Sequence, residues 1–155
     1  MIVTINTDAS FHPEYKFGTY AFWIVCDKFK ITKSGYFKDK CLDPNDAEMK
    51  CIINALYTIK QHASEFNTLV INTDSMNSIH MFTKDFEKIK RYKLSKFSSH
   101  GKKFSKLIKE LGRPKFHLKH VKAHTEGKDS RSYVNNWCDT EAKKELRKII
   151  KKLSK

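Results

Sequence analysis

Apolar and β-branched positions gather in short runs along this chain, and two of those runs end in the same words. Ile2-Val3-Thr4-Ile5 leads into Asn6-Thr7-Asp8, and Leu69-Val70-Ile71 leads into Asn72-Thr73-Asp74. Near-continuous apolar strands suit a sheet covered on both faces. Ligands of open α/β sheets gather beyond the carboxyl ends of such strands, so Asp8 and Asp74 are expected at one rim, each where its strand stops. Thr19 to Cys26 and Lys30 to Phe37 are rich in aromatic and β-branched residues; joined by Asp27-Lys28-Phe29, they complete an antiparallel meander with the first strand. Asp43-Pro44-Asn45-Asp46 carries a side-chain cap, a first-turn Pro and acids at the positive end of the helix dipole, which predicts a helix from Pro44 to His62. Its inward stripe is Ile52, Leu56 and Ile59, and Glu48 lies one turn earlier on the same side. A short helix over Asn77 to Phe82, an edge strand over Lys115 to Val121, a loop over His124 to Tyr133 and a final helix from near Val134 complete the pattern. In the last helix Ala142, Leu146, Ile149, Ile150 and Leu153 form the apolar side, and Asp139 extends it. The class is α/β.

At 155 residues, with no internal repeat and no linker-like stretch, residues 1–155 read as one domain. The net charge of +14 points to an anionic partner, nucleic acid being the commonest for a compact basic domain. Residues 84–109 hold ten lysines or arginines against two acids, interleaved with Tyr92, Phe97 and Phe104; Phe104 reads as core. Lys143, Arg147, Lys151 and Lys144, Lys148, Lys152 form a second basic face at helical spacing. The four cysteines, Cys26, Cys41, Cys51 and Cys138, lack Cys-x-x-Cys spacing and a secretory signal, so they read as reduced thiols rather than disulfides or a zinc ribbon. No run approaches the roughly 18 apolar residues of a membrane span. A soluble, cytoplasmic, monomeric protein is expected.

Acids are scarce in so basic a chain, and four of them sit at element ends facing inward: Asp8, Glu48, Asp74 and Asp139. Singly, each has an ordinary role as a turn residue or helix-dipole partner. Together they would repel and be costly to desolvate, and cations relieve both penalties. Oxygen-only ligation selects hard ions, Mg²⁺ or Mn²⁺, which accept phosphate oxygens. His117 and His120 lie three apart on a strand, which argues against a zinc cluster with His124.

Five ordered blocks then resemble ribonuclease H of type 1. Thr7-Asp8-Ala9-Ser10 is similar to that family's Thr-Asp-Gly-Ser, Asn45 to Met49 to its Asn-x-x-Glu-Met, and Thr73-Asp74-Ser75 to its Thr-Asp-Ser; Val121 to His124 is similar to Val-Lys-Gly-His, and Asn135 to Asp139 to Asn-x-x-Cys-Asp. The resemblance implies a ribonuclease H-like fold with a five-stranded mixed sheet, antiparallel meander plus parallel strands, flanked by helices. It also implies two-metal endonucleolytic hydrolysis of the RNA strand of RNA/DNA hybrids, leaving 5′-phosphates. Asp8, Glu48, Asp74 and Asp139 would share two Mg²⁺ ions, with Mn²⁺ as a substitute, and His124 would assist proton movement or product release. Ser10, Asn45 and Asn135 would touch the hybrid, and Lys88, Lys90, Arg91 and Lys93 would grip its phosphates. Ala9 stands where the family has Gly, and Met76 where many members have Gln. The alternatives are another nuclease on this architecture, a hybrid- or duplex-binding module without catalysis, and one domain of a reverse transcriptase. All four acids are present, against the second; no polymerase-like segment flanks the chain, so a free-standing protein is expected rather than the third.

Overall fold

The computed structural model describes residues 1–62, 66–121 and 130–153, side chains of 130–132 excepted. Five strands form one sheet in the order β3-β2-β1-β4-β5: β1 (Ile2–His12), β2 (Phe17–Val25), β3 (Lys30–Tyr36), β4 (Thr68–Thr73) and β5 (Lys115–His120). β1, β2 and β3 pair antiparallel, while β4 runs parallel to both β1 and β5. The helices are α1 (Pro44–His62), α2 (Met76–Phe82), α3 (Arg91–Glu110) and α4 (Ser130–Leu153), with a 3-10 turn at Phe86–Lys88. Among the described residues no helix is long and apolar enough to cross a membrane.

Strand alternation assigns the two layers. Phe22 and Ile24 join the main core with Val3, Ile5 and the α1 stripe of Ile52, Leu56 and Ile59. Their neighbours Ala21 and Trp23 face the other way, onto Cys138, Ala142 and Trp137 of α4. Thus α1 covers one face of the sheet and α4 the other. α3 packs on α1 in the same direction: Lys96 pairs with Asp43 at the start of α1 at 2.9 Å, and Glu110 pairs with Lys60 near its end at 2.6 Å. Phe97 and Phe104 are core, as the apolar spacing of α3 requires, whereas Tyr92 is exposed. Cys41, Cys51 and Cys138 are buried free thiols, and Cys26 is half-buried.

Two element boundaries differ by about four residues from the sequence expectation, the others by one or two. β1 does not stop at Asp8; it continues to His12, because the hairpin partner β2 stays paired from Asp8↔Ala21 to His12↔Phe17. What ends near Asp8 is the parallel side, whose last register pair is Asn6↔Asn72. Asp8 therefore lies mid-strand, at the point where β4 has left the sheet. α4 starts at Ser130, four residues ahead of Val134. In the added turn Tyr133 stands edge-on to Trp23, with centroids 6.1 Å apart.

Candidate active site

The repeated tetrapeptides sit side by side. Ile5 pairs with Ile71 and Asn6 with Asn72, so alternation turns Thr7 and Thr73 towards α1 and the two asparagines towards α4. Asn72 Nδ2 donates to Asn6 Oδ1 at 3.0 Å, fastening the strands where the sheet opens. Beyond this clasp stand Asp8, half-buried in β1, and Asp74, exposed just past β4.

Glu48 comes from the other side. It lies in the second turn of α1, whose start is fixed by Asp43 Oδ1 accepting from the Asp46 N–H at 2.8 Å, with Pro44 as first helical residue. Glu48 is only 4 % exposed. Thr7 Oγ1 donates to its Oε1 at 2.9 Å and Thr73 Oγ1 donates to the same oxygen at 3.0 Å. Asp8, Glu48 and Asp74 each offer a carboxylate oxygen, and these atoms lie within 4.8 Å of one another. Asp139 completes the group from α4: it is within hydrogen-bonding reach of Asp8, and its Oδ2 accepts from Lys143 Nζ at 3.0 Å.

This proximity is electrostatically adverse. Burial, then the charges of Glu48, Asp74 and Asp139, push the Asp8 carboxyl up to about 10. Burial and Asp74 push Glu48 up to about 7, against the lowering effect of Thr7, Thr73 and the Ala9 N–H. Lys143 pairs with Asp139 of this group, and its side chain is 45 % exposed, so water screens it. Clustered carboxylate oxygens at this separation are a donor set suited to hard divalent cations.

Of the other residues singled out by sequence, Ser10 lies two positions beyond Asp8 on the same side of β1, and Asn45 occupies the first turn of α1. Asn135 lies one turn before Asp139 on α4, and its buried Nδ2 has no hydrogen-bond partner among the described residues. Lys88, Lys90, Arg91 and Lys93 form a separate patch at the N-terminal end of α3 and the turn before it, with Lys88 paired to Asp85 at 3.1 Å. His124 lies outside the described residues.

Sequence reasoning passed over three participants. Thr7 and Thr73 were visible as part of a duplicated Asn-Thr-Asp, but only the backbone register shows that both reach one oxygen. His100 sits on the apolar stripe of α3 with Phe97 and Phe104, and a titratable group in such a stripe was the available signal. It is 7 % exposed, and its Nε2 meets Asp46 Oδ1 at 2.5 Å.

A mixed sheet with acids at the point where its parallel half ends offers a place for a hard cation, and comparison with known proteins makes the class specific. The family model for RNase H matches residues 1–147. The chain belongs to the RNase H family. Solved structures share the fold at low identity. LC11-RNase H1 in complex with an RNA/DNA hybrid has a TM-score of 0.67 at 16 % identity, covering 93 % of this chain and 99 % of that one. RNase H1 from the halophilic archaeon Halobacterium salinarum NRC-1 has a TM-score of 0.65 at 16 % identity, covering 96 % and 99 %. The protease-reverse transcriptase of prototype foamy virus matches with a TM-score of 0.61 at 12 % identity over 93 % of this chain and 20 % of that one. No curated protein matches the sequence.

Proposed function

We propose that this chain is an endonuclease that hydrolyses the RNA strand of RNA/DNA hybrids with two divalent cations, Mg²⁺ or in its place Mn²⁺. The observation that carries the reading is the meeting of Asp8, Glu48 and Asp74, whose ligand oxygens lie within 4.8 Å in a chain of net charge +14. Asp8, Glu48, Asp74 and Asp139 would hold the ions, which supply Lewis acidity and a template for an in-line displacement. The protein's own part is to keep these carboxylates together despite their repulsion and to hold the hybrid against them. A water oxygen bonds to phosphorus and the 3′ oxygen leaves with a proton, giving 3′-hydroxyl and 5′-phosphate ends. Ser10 and Asn45 flank the acids where ribose hydroxyls would pass, and Asn135, whose amide has no partner among the described residues, would be a third donor one helical turn from Asp139. His124 would assist proton movement or product release. The Lys88–Lys93 patch would hold phosphates further along, at the end of α3 where Lys96 reaches the start of α1. One domain acting as a monomer suffices for these roles.

The test is cleavage of end-labelled RNA/DNA hybrid, RNA/RNA and DNA/DNA, each with Mg²⁺ or excess chelator. Only the hybrid should be cut efficiently, in its RNA strand and only with metal. Efficient cutting of duplex DNA, or activity that survives chelation, would overturn the assignment.

A further inference from the structure

We propose that Thr7 and Thr73 are positioning residues that dedicate Glu48 Oε1 to the protein scaffold and leave Oε2 as the oxygen that binds a cation, making Glu48 a one-oxygen ligand. The inference rests on the metal-dependent reading above and concerns how this chain builds that site. Both hydroxyls approach the same atom, at 2.9 and 3.0 Å, and both threonines are buried, at 5 % and 1 % exposure. Thr73 Oγ1 accepts the Ser75 N–H at 3.1 Å and gives its single proton to the ionised Glu48, a carboxylate that can only accept. Thr7 could turn its proton to Asn72 O instead, but that contact is 3.4 Å against 2.9 Å to Glu48. Two hydroxyl donors occupy the lone pairs of Oε1, while the Ala9 N–H, which also approaches this carboxylate, is shared with Asp8 Oδ1 at 2.9 Å, so Oε2 keeps lone-pair room for a cation.

The threonines also set the plane of the carboxylate. The last torsion of a glutamate is broad and nearly two-fold, so an unrestrained Glu48 would present either oxygen over a range of angles. Hydroxyls from adjacent parallel strands, held in register by Ile5↔Ile71 and Asn6↔Asn72, remove that freedom before a cation arrives. This explains why the two strands repeat Asn-Thr-Asp and not merely the acid. The asparagines clasp the strands on the α4 face, the threonines hold Glu48 on the α1 face, and the aspartates stand beyond both.

The experiment measures Mn²⁺ binding without substrate, by calorimetry and by the paramagnetic signal of free Mn²⁺, in the parent, in Thr7→Val, Thr73→Val and the double variant, and in Thr7→Ser and Thr73→Ser. Val keeps the shape and removes the donor. Each Val change should weaken Mn²⁺ binding by about tenfold, within the 10–100-fold range typical for supports of metal ligands, and each Ser change should bind as the parent does. The metal concentration for half-maximal cleavage should rise in parallel, while hybrid binding in chelator stays unchanged. Parental Mn²⁺ affinity in folded Val variants would overturn the inference, as would Ser variants as weak as the Val ones. If the double variant does not fold, the single variants carry the same expectation. Failure of the metal reading itself looks different: the parent would then show no Mn²⁺ binding that Asp8→Asn removes.

Discussion

Asp46 and Glu48 stand two residues apart on α1, at 2 % and 4 % exposure, and their surroundings have opposite effects. Burial raises both. At Asp46 it is outweighed by hydrogen bonds from His100 and the Leu42 N–H and by the charge of Lys50, so the carboxyl is held below its ordinary value. At Glu48 the hydroxyls of Thr7 and Thr73 do not outweigh burial and the charge of Asp74, and the carboxyl is raised. Asp46 brings its own cation and donors and ties α1 to α3. Glu48 belongs to a group of mutually repelling acids. Burial alone therefore does not distinguish the two acids; the charges and donors that face each of them do.

The largest effect should come from breaking the second environment. Asp8→Asn removes a ligand oxygen's charge while keeping the shape, so turnover should fall by on the order of a thousandfold or more, since metal stabilisation of the transition state is worth several kcal/mol. Hybrid affinity and the folded state should be retained. Single-turnover cleavage at saturating hybrid checks this, and an Asp8→Asn protein cutting at the parental rate would dissociate the acid group from the chemistry.

The matching change in the first environment should act on folding instead. Asp46→Ala strands His100 Nε2, the Leu42 N–H and Lys50, which lies 3.5 Å from Asp46. Breaking a buried pair in this way costs about 3 kcal/mol, or roughly 10 °C in melting temperature for a chain of this size. Turnover per folded molecule should change much less than in Asp8→Asn. A melting temperature within a degree of the parent would show that the Asp46–His100 brace contributes little.

The two environments also predict opposite limbs in a pH–stability curve taken in chelator. Asp8 and Glu48 are raised, to about 10 and about 7, so the folded state holds protons that the unfolded chain has released. Their contribution is complete below the ordinary carboxyl range and is lost as pH climbs towards those values. Asp46 is lowered, so its contribution is present above the ordinary value and is lost as pH falls through its depressed one. Melting temperature should thus decline on both sides of a maximum. Asp8→Asn or saturating Mg²⁺ should flatten the alkaline limb, and Asp46→Asn the acid limb. An alkaline limb unmoved by Mg²⁺ would contradict the assignment of the raised group to metal binding.

Most of this arrangement was legible before the structure, and the illegible part has a common cause. The α1 boundaries, the meander, the edge position of β5 and the core role of Phe104 follow from patterns within one segment, which a sequence displays. The continuation of β1 past Asp8 depends on how far a different strand, β2, stays paired with it, and the early start of α4 brings Tyr133 against Trp23 of β2. The pairing of His100 with Asp46 joins helices 54 residues apart, and Thr7 reaches Glu48 across 41. Local spacing predicted that Glu48 faces inward, but it did not single out the equally buried Asp46, and Asp74 is exposed; the packing decides which acids are buried and which acquire partners.

The smallest expected effect separates structural cations from substrate-binding ones in the same way. Lys96 is paired with Asp43 at 2.9 Å and Lys50 with Asp46 at 3.5 Å, so both belong to the scaffold around the start of α1. Lys90, Arg91 and Lys93 lie at the start of α3 with no ion pair among the described residues, and Lys88 is joined only to Asp85 at a surface-exposed 3.1 Å contact. Each phosphate neutralised contributes a slope of about 0.9 to the logarithmic salt dependence on a B-form duplex, and a hybrid should behave in kind. Replacing Lys88, Lys90, Arg91 and Lys93 by neutral residues should raise the Michaelis constant, flatten its salt dependence and leave turnover at saturation little changed. Lys96→Met should lower the melting temperature and leave the salt slope within one phosphate of the parent. On α4, Lys144 and Lys148 already pair with Glu141 and Glu145, at 3.5 and 3.3 Å, which makes that face the weaker competitor. A parental salt slope in the quadruple variant would move the grip to α4 in spite of those pairs, and the same titration on Lys144→Gln and Lys148→Gln would then have to show the missing slope.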